Sequence, residues 1–140
     1  MSEIIVGYDG TECSHAALSA ACSLAAVTGD EIVLAYGYMP SHTGGDVPPL
    51  RDALHELGER VTGEGVAQAR EAGVEAKVEL VAERPAEALA DLAREREARM
   101  IVVGSYGESP LKGALLGSTP HKLLAITEIP VLVVRTSETP

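Results

Sequence analysis

The sequence predicts an α/β domain built as a doubly wound parallel sheet, and three observations carry that expectation. Five short apolar runs punctuate the chain, at residues 3–8, 31–37, 75–81, 99–104 and 130–135. The first, fourth and fifth are nearly continuous Ile, Val and Leu, as strands buried on both faces should be. Segments with helical spacing separate the runs, so the chain reads β-α-β-α-β-α-β-α-β. That alternation implies a parallel sheet with right-handed crossovers and helices on both faces.

Each element has its own signals. After the first run, Leu18, Ala21, Cys22 and Ala25 share one face of a helix over 14–28; Ser14 or Thr11 can cap it and Gly29 stops it. The stretch 39–49, with Gly44-Gly45 and Pro48-Pro49, reads as a loop. The helix over 50–72 carries Leu54, Leu57 and Val61, and Gly58, Gly63 and Gly65 weaken it enough to predict a bend or break. A third helix over 85–97 opens with Pro in its first turn and carries Leu89, Leu92 and Ala93. The fourth follows Gly117, where Ser118 or Thr119 can cap and Pro120 can sit in the first turn. No internal repeat or low-complexity segment interrupts the pattern. Open sheets of this type bind ligands beyond the carboxyl ends of their strands. The loops there are 9–13, 37–49, 82–85 and 104–117.

Composition narrows the function. A length of 140 residues suits one domain over 1–140, long enough to bury a core. With four Tyr and no Phe or Trp, that core must be Val, Ile, Leu and Ala, and no stacking platform for single-stranded nucleic acid is available. A formal charge of −10 points the same way, because binding a phosphate backbone needs clustered Lys and Arg. No run approaches the ~20 apolar residues of a membrane span, and the start carries no basic-then-apolar leader pattern. The expected compartment is therefore the cytoplasm, with no membrane or nucleic-acid partner. Cys13 and Cys22 stand about 900° apart at ~100° per helical residue, on opposite faces, so both are expected as free thiols.

The chemistry concentrates where the run Met100-Ile101-Val102-Val103 enters Gly104-Ser105-Tyr106-Gly107 and, nine residues later, Gly117-Ser118. A strand feeding a Gly-rich loop and then a helix suits a phosphate. Glycine lets backbone N–H groups come close, and the helix start adds orphan donors and a positive dipole end. The dinucleotide fingerprint Gly-x-Gly-x-x-Gly and the P-loop are both missing. Val103 stands where a nucleophile elbow needs Gly. His15, His42, His55 and His121 show no metal spacing, though His121 lies one turn into the fourth helix. No carboxylate pair is spaced for hydrolysis, and Asp9 is the acid expected beside a nucleotide. No catalytic or metal-ligating residue is assigned. Glu87, Asp91, Arg94 and Glu95 suit a solvated helix face.

The spaced set Gly104, Gly107, Gly117 and Ser118 resembles the ATP-binding signature of the universal stress protein family. The opening Ile4-Ile5-Val6-Gly7-Tyr8-Asp9-Gly10-Thr11, the Pro85-Ala86-Glu87-Ala88-Leu89 stretch and the closing Ile129-Pro130-Val131-Leu132-Val133-Val134-Arg135 are similar to that family's first strand, third helix and last strand. The resemblance covers nearly the whole chain. It implies the adenine nucleotide alpha hydrolase-like fold, with strand order 3-2-1-4-5, and ATP with Mg²⁺ as ligand. Gly104, Gly107, Gly117, Ser118 and Thr119 would hold ribose and phosphates, and Lys112 is a candidate phosphate partner. Asp9 would contact the adenosine end or organise the metal-bearing side, and Gly37 would offer backbone to the adenine edge. Where the family often has Val, Gly37 removes an apolar wall; where it has Gly before the third helix, Glu83 and Arg84 stand. The resemblance further implies a homodimer through residues 129–135 and at most slow ATP hydrolysis. A cAMP or AMP ligand (a cAMP sink), a slow ATPase or self-phosphorylating enzyme, and a nucleotide-free interaction dimer remain the alternatives.

Overall fold

Strands β1 (Glu3–Gly7), β2 (Glu31–Gly37), β3 (Ala76–Val81), β4 (Met100–Gly104) and β5 (Val131–Val134) form one parallel sheet in the order β3-β2-β1-β4-β5. This is seen in a computed structural model of the chain, which describes residues 2–38, 48–105 and 116–136. The expected order is observed. The registers are regular: Ile4 sits beside Ile32 and Met100, and Val102 beside Leu132. Side chains alternate across the sheet, so Ile4, Val6 and Leu34 are buried on one face while Ile5, Val33 and Ile101 are buried on the other. Helices α1 (Glu12–Thr28) and α2 (Pro48–Glu71) serve the first face; α3 (Pro85–Glu95) and α4 (Ser118–Ile126) serve the second.

Helix ends follow local chemistry. Thr11, not Ser14, caps α1: its hydroxyl accepts from the N–H of Ser14, and Ser14 Oγ donates back to the Thr11 carbonyl. Gly29 closes the helix in the left-handed region, with its N–H on the Ala25 carbonyl. α2 starts two residues before its sequence pattern, at Pro48, within the stretch read as a loop. Proline fits there because first-turn N–H groups have no helical partner.

α2 also runs through its three glycines without the expected break. A Cβ on Gly58 would stand 2.9 Å from the Tyr36 ring, and one on Gly65 would stand 2.8 Å from Leu34 Cδ1 and 3.1 Å from the Tyr8 ring. These glycines bring α2 down onto the sheet, and packing recovers what helix propensity loses. α3 ends at Glu95 rather than 97, because Glu97 takes the left-handed conformation (φ 51°) and the Ala98 N–H reaches back to the Ala93 carbonyl.

The amino ends of the strands carry a belt of ion pairs. Buried Asp30 accepts from Arg99 Nε and, at 3.2 Å, from Arg99 Nη2, and also from the Thr28 hydroxyl and the Ser2 N–H. The Arg99 bonds hold the Asp30 carboxyl below its usual range, against burial that would raise it. Arg96 binds both carboxylate oxygens of Glu3, at 2.8 and 3.0 Å, and Lys77 reaches Glu31 at 2.8 Å. Cys13 is a half-buried thiol and Cys22 a buried one, both free. No described helix is long and apolar enough to cross a membrane.

Candidate functional site

The strand order reverses between β1 and β4, and a cleft of about 280 Å³ opens over the carboxyl ends there. Gly7, Tyr8 and Asp9 enter it from β1 and the turn that follows. Ala35, Tyr36 and Gly37 come from β2, and Val103 and Gly104 from β4. Pro85 and Leu89 of α3, Ser14 of α1 and residues 117–120 at the start of α4 complete the lining. Six of the eight residues singled out in the sequence therefore converge: Asp9, Gly37, Gly104, Gly117, Ser118 and Thr119. The other two, Gly107 and Lys112, lie outside the described residues.

The start of α4 has few donors left to offer. A helix leaves its first four N–H groups without helical partners. Here Gly117 is the N-cap and supplies no side chain, so neither Ser118 nor Thr119 caps, contrary to expectation. The Gly117 N–H donates to the Ser105 carbonyl at 2.6 Å, which ties α4 to the end of β4. Pro120 has no N–H. Ser118 and Thr119 remain as the orphan donors of the first turn, each with a hydroxyl beside its N–H. Ser118 is exposed and Thr119 half-buried, and both line the cleft. The positive end of α4 thus meets the cleft through two adjacent N–H groups.

Asp9 has a second task. Its Oδ1 accepts from the Thr11 N–H at 3.0 Å and the Thr11 hydroxyl at 2.6 Å, fixing the turn that lets Thr11 cap α1. It is the one charged residue in the described lining, which contains no Lys or Arg. Among the described residues no cluster of three or more His, Cys, Asp or Glu could hold a metal.

Two of the predicted glycines answer to packing as well as to any ligand. A Cβ at Gly104 would lie 2.6 Å from Cys13 Cβ and 2.7 Å from Cys13 backbone atoms, so the first turn of α1 rests on it. A Cβ at Gly37 would lie 2.8 Å from Pro85 Cα and 2.9 Å from the Glu83 carbonyl oxygen. The connection from β3 to α3 thus crosses the end of β2, and Pro85 and Leu89 supply apolar surface beside Gly37. Glu83 does not enter the cleft. Its carboxyl bonds to that of Asp91, and this contact, with burial and the charges of Asp91, Glu95 and Glu87, pushes it up. Arg84 and the exposed His121 are also outside the lining.

Sequence reading missed Tyr8, Tyr36, Ala35, Pro85, Leu89, Val103 and Ser14 as lining residues. Four of them, Tyr8, Ala35, Tyr36 and Val103, lie in the last three residues of a strand or just beyond it, and that placement was the available signal. Tyr8 is buried with its hydroxyl 3.2 Å from His15 Nδ1, and burial, then the charges of Glu64 and Asp9, pushes its phenol up. His15 Nδ1 in turn lies 2.6 Å from Gln68 Oε1, while Gln68 Nε2 donates to the His15 carbonyl at 3.0 Å. The amide orientation places a proton on Nδ1, and the network joins β1, α1 and α2 behind the cleft.

Comparison with known proteins agrees with the fold. The universal stress protein family profile matches residues 1–135. Universal stress protein Rv1636 of Mycobacterium tuberculosis is 32% identical over 144 residues, with 96% of each chain covered. Universal stress protein YxiE of Bacillus subtilis is 30% identical over 149 residues, covering 96% of this chain and 99% of that one. A universal stress protein solved in complex with cAMP superposes with TM-score 0.78 at 29% identity, covering 97% of this chain and 98% of that one. A family match over nearly the full length, on a sheet of this order, leaves one assignment: the chain belongs to the universal stress protein family.

Proposed function

We propose that the protein is an ATP-binding module of the stress response, one domain over 1–140, whose bound nucleotide alters its shape or partners. The observation that carries this reading is the pair of orphan N–H groups at Ser118 and Thr119, facing a cleft whose inner walls are Ala35, Tyr36, Leu89 and Val103. Apolar walls suit a base and the helix start suits anionic oxygen. Gly104 and Gly37 offer backbone beside the sugar and the base edge; Gly107 and Lys112 belong to the same proposed set. Mg²⁺ is held in such sites by one or two carboxylates plus phosphate oxygens. Asp9, the single lining carboxylate, fits that role, and the metal would offset repulsion between the polyanion and a chain of charge −10. Hydrolysis of the bound nucleotide is proposed to be slow at most.

The protein is further proposed to act in the cytoplasm, and to form a homodimer through residues 129–135 because β5 is an edge strand with Leu132 38% exposed. A cAMP sink is the second reading, favoured by the cAMP complex of the relative described above. The deciding experiment is to denature freshly purified protein, identify any released nucleotide by mass spectrometry, and titrate the washed protein with ATP-Mg²⁺ and with cAMP. ATP released, or bound more tightly than cAMP, is the expected result. Tighter cAMP binding selects the sink, and no release with no heat from either ligand would sink the nucleotide reading altogether.

A further inference from the structure

At the sheet edge remote from β5, an open groove of about 460 Å³ runs between β3 and α2. His55, Glu59 and Gly63 line it from the helix, and Val78 and Leu80 from the strand. Among the described residues no strand pairs with the outer side of β3. Which backbone groups face outward follows from one hydrogen bond. The Tyr38 N–H donates to the Val81 carbonyl at 3.0 Å, so Val81 faces the β2 side. Backbone direction alternates along a strand, so the N–H and C=O groups of Val78 and Leu80 project from the free edge. Their side chains face α2, because Val78 is in register with Leu34, which is buried on that face. The groove is acidic. His55 pairs with Glu59 at 3.3 Å, and no Lys or Arg lines it. Exposed Asp52 and Glu56 recur at i and i+4 on the same flank of α2, with Glu59 at i+7. Lys77 is spent on the opposite face, on Glu31 and Glu3.

We propose that this edge takes an extended basic segment of a partner protein as a sixth strand. Backbone bonds form to Val78 and Leu80, and Lys or Arg at every second position enters the groove. The aliphatic stems lie over Val78 and Leu80 while the cationic heads reach Glu59, Glu56 and Asp52. Gly63 leaves room for them, since a Cβ there meets nothing within 4 Å. The test titrates the isotope-labelled full chain with a blocked nine-residue peptide of Lys alternating with Thr and Val, and with its Glu-for-Lys counterpart. The basic peptide is expected to slow exchange of the Val78 and Leu80 amides at least tenfold, and the acidic one to leave them unchanged. Val78→Pro removes one outward N–H without touching a bond to β2, and Gly63→Arg fills and charges the groove. Each should weaken binding at least tenfold while amide protection in β1 and β4 stays intact. The proposal is overturned by protection at β5 instead, by equal effects of the two peptides, by undiminished binding to Val78→Pro, or by no binding. Protection of Val78 and Leu80 that rises with protein concentration alone would make the occupant a second copy, and would overturn it too.

Discussion

Asp9 shapes a turn and presents a charge with the same carboxylate, and substitution can separate the two. Asp9→Ala deletes both bonds to Thr11 and the charge, and is expected to lower stability by about 1–2 kcal/mol. Asp9→Asn keeps an oxygen acceptor for Thr11 and should retain most of that stability. Denaturant unfolding of the two variants measures the turn. Calorimetric titration with ATP-Mg²⁺ measures the charge, and Asp9→Asn is expected to bind at least tenfold more weakly while remaining folded. Equal affinity of Asp9→Asn and wild type would confine Asp9 to the turn. Gly104 shows why a glycine in a binding signature is not read by its ligand alone: the contact with Cys13 spans 91 sequence positions, and nothing local announces it.

At the scale of the element, α2 holds three glycines with unlike surroundings. Gly63 is exposed and unobstructed, so Gly63→Ala should stabilise the protein by about 0.5–1 kcal/mol through helix propensity. Gly58→Ala presses on the half-buried Tyr36 ring and Gly65→Ala on buried Leu34 and Tyr8, and overpacking should outweigh that gain for a net loss on the order of 1 kcal/mol. Thermal unfolding of the three variants orders them; a stabilised Gly58→Ala or Gly65→Ala would refute the packing account. Sequence reading failed here for that reason, since propensity sees the glycine and not the ring opposite it. Strands were legible because Ile4-Ile5-Val6 and Ile101-Val102-Val103 have no use except burial on both faces. Helix ends were legible where glycine marks them, as at Gly29, and not where Glu97 takes the left-handed position. At the site, positions next to glycine signals were found. Tyr36 and Leu89 were not, because an apolar residue at a strand end or on a core-facing helix gives no separate sign of lining a cleft.

The whole molecule divides its labour along the strands, with ion pairs at the amino ends and the cleft at the carboxyl ends. Asp30 ties Ser2, Thr28 and Arg99 together, and its lowered native pKa sets the sign of a pH effect. A depressed carboxylate adds stability above its ordinary value of 3.8 and loses it as pH falls from there through the native value. Asp30→Asn should therefore cost about 1–3 kcal/mol at neutral pH and progressively less towards pH 3; a penalty independent of pH would argue against the ion pair. At the other edge of the sheet, the proposed dimer predicts that Leu132→Asp shifts sedimentation from dimer to monomer with the fold retained, and an unchanged dimer would exclude β5. The described cleft lining contributes no cation, and the proposed set adds one, Lys112, within a chain of charge −10. Added electrolyte then screens the long-range repulsion of the protein for an incoming polyanion more than it weakens any attraction. Nucleotide affinity should hold or rise between low and moderate ionic strength, the reverse of a site built from lysine and arginine.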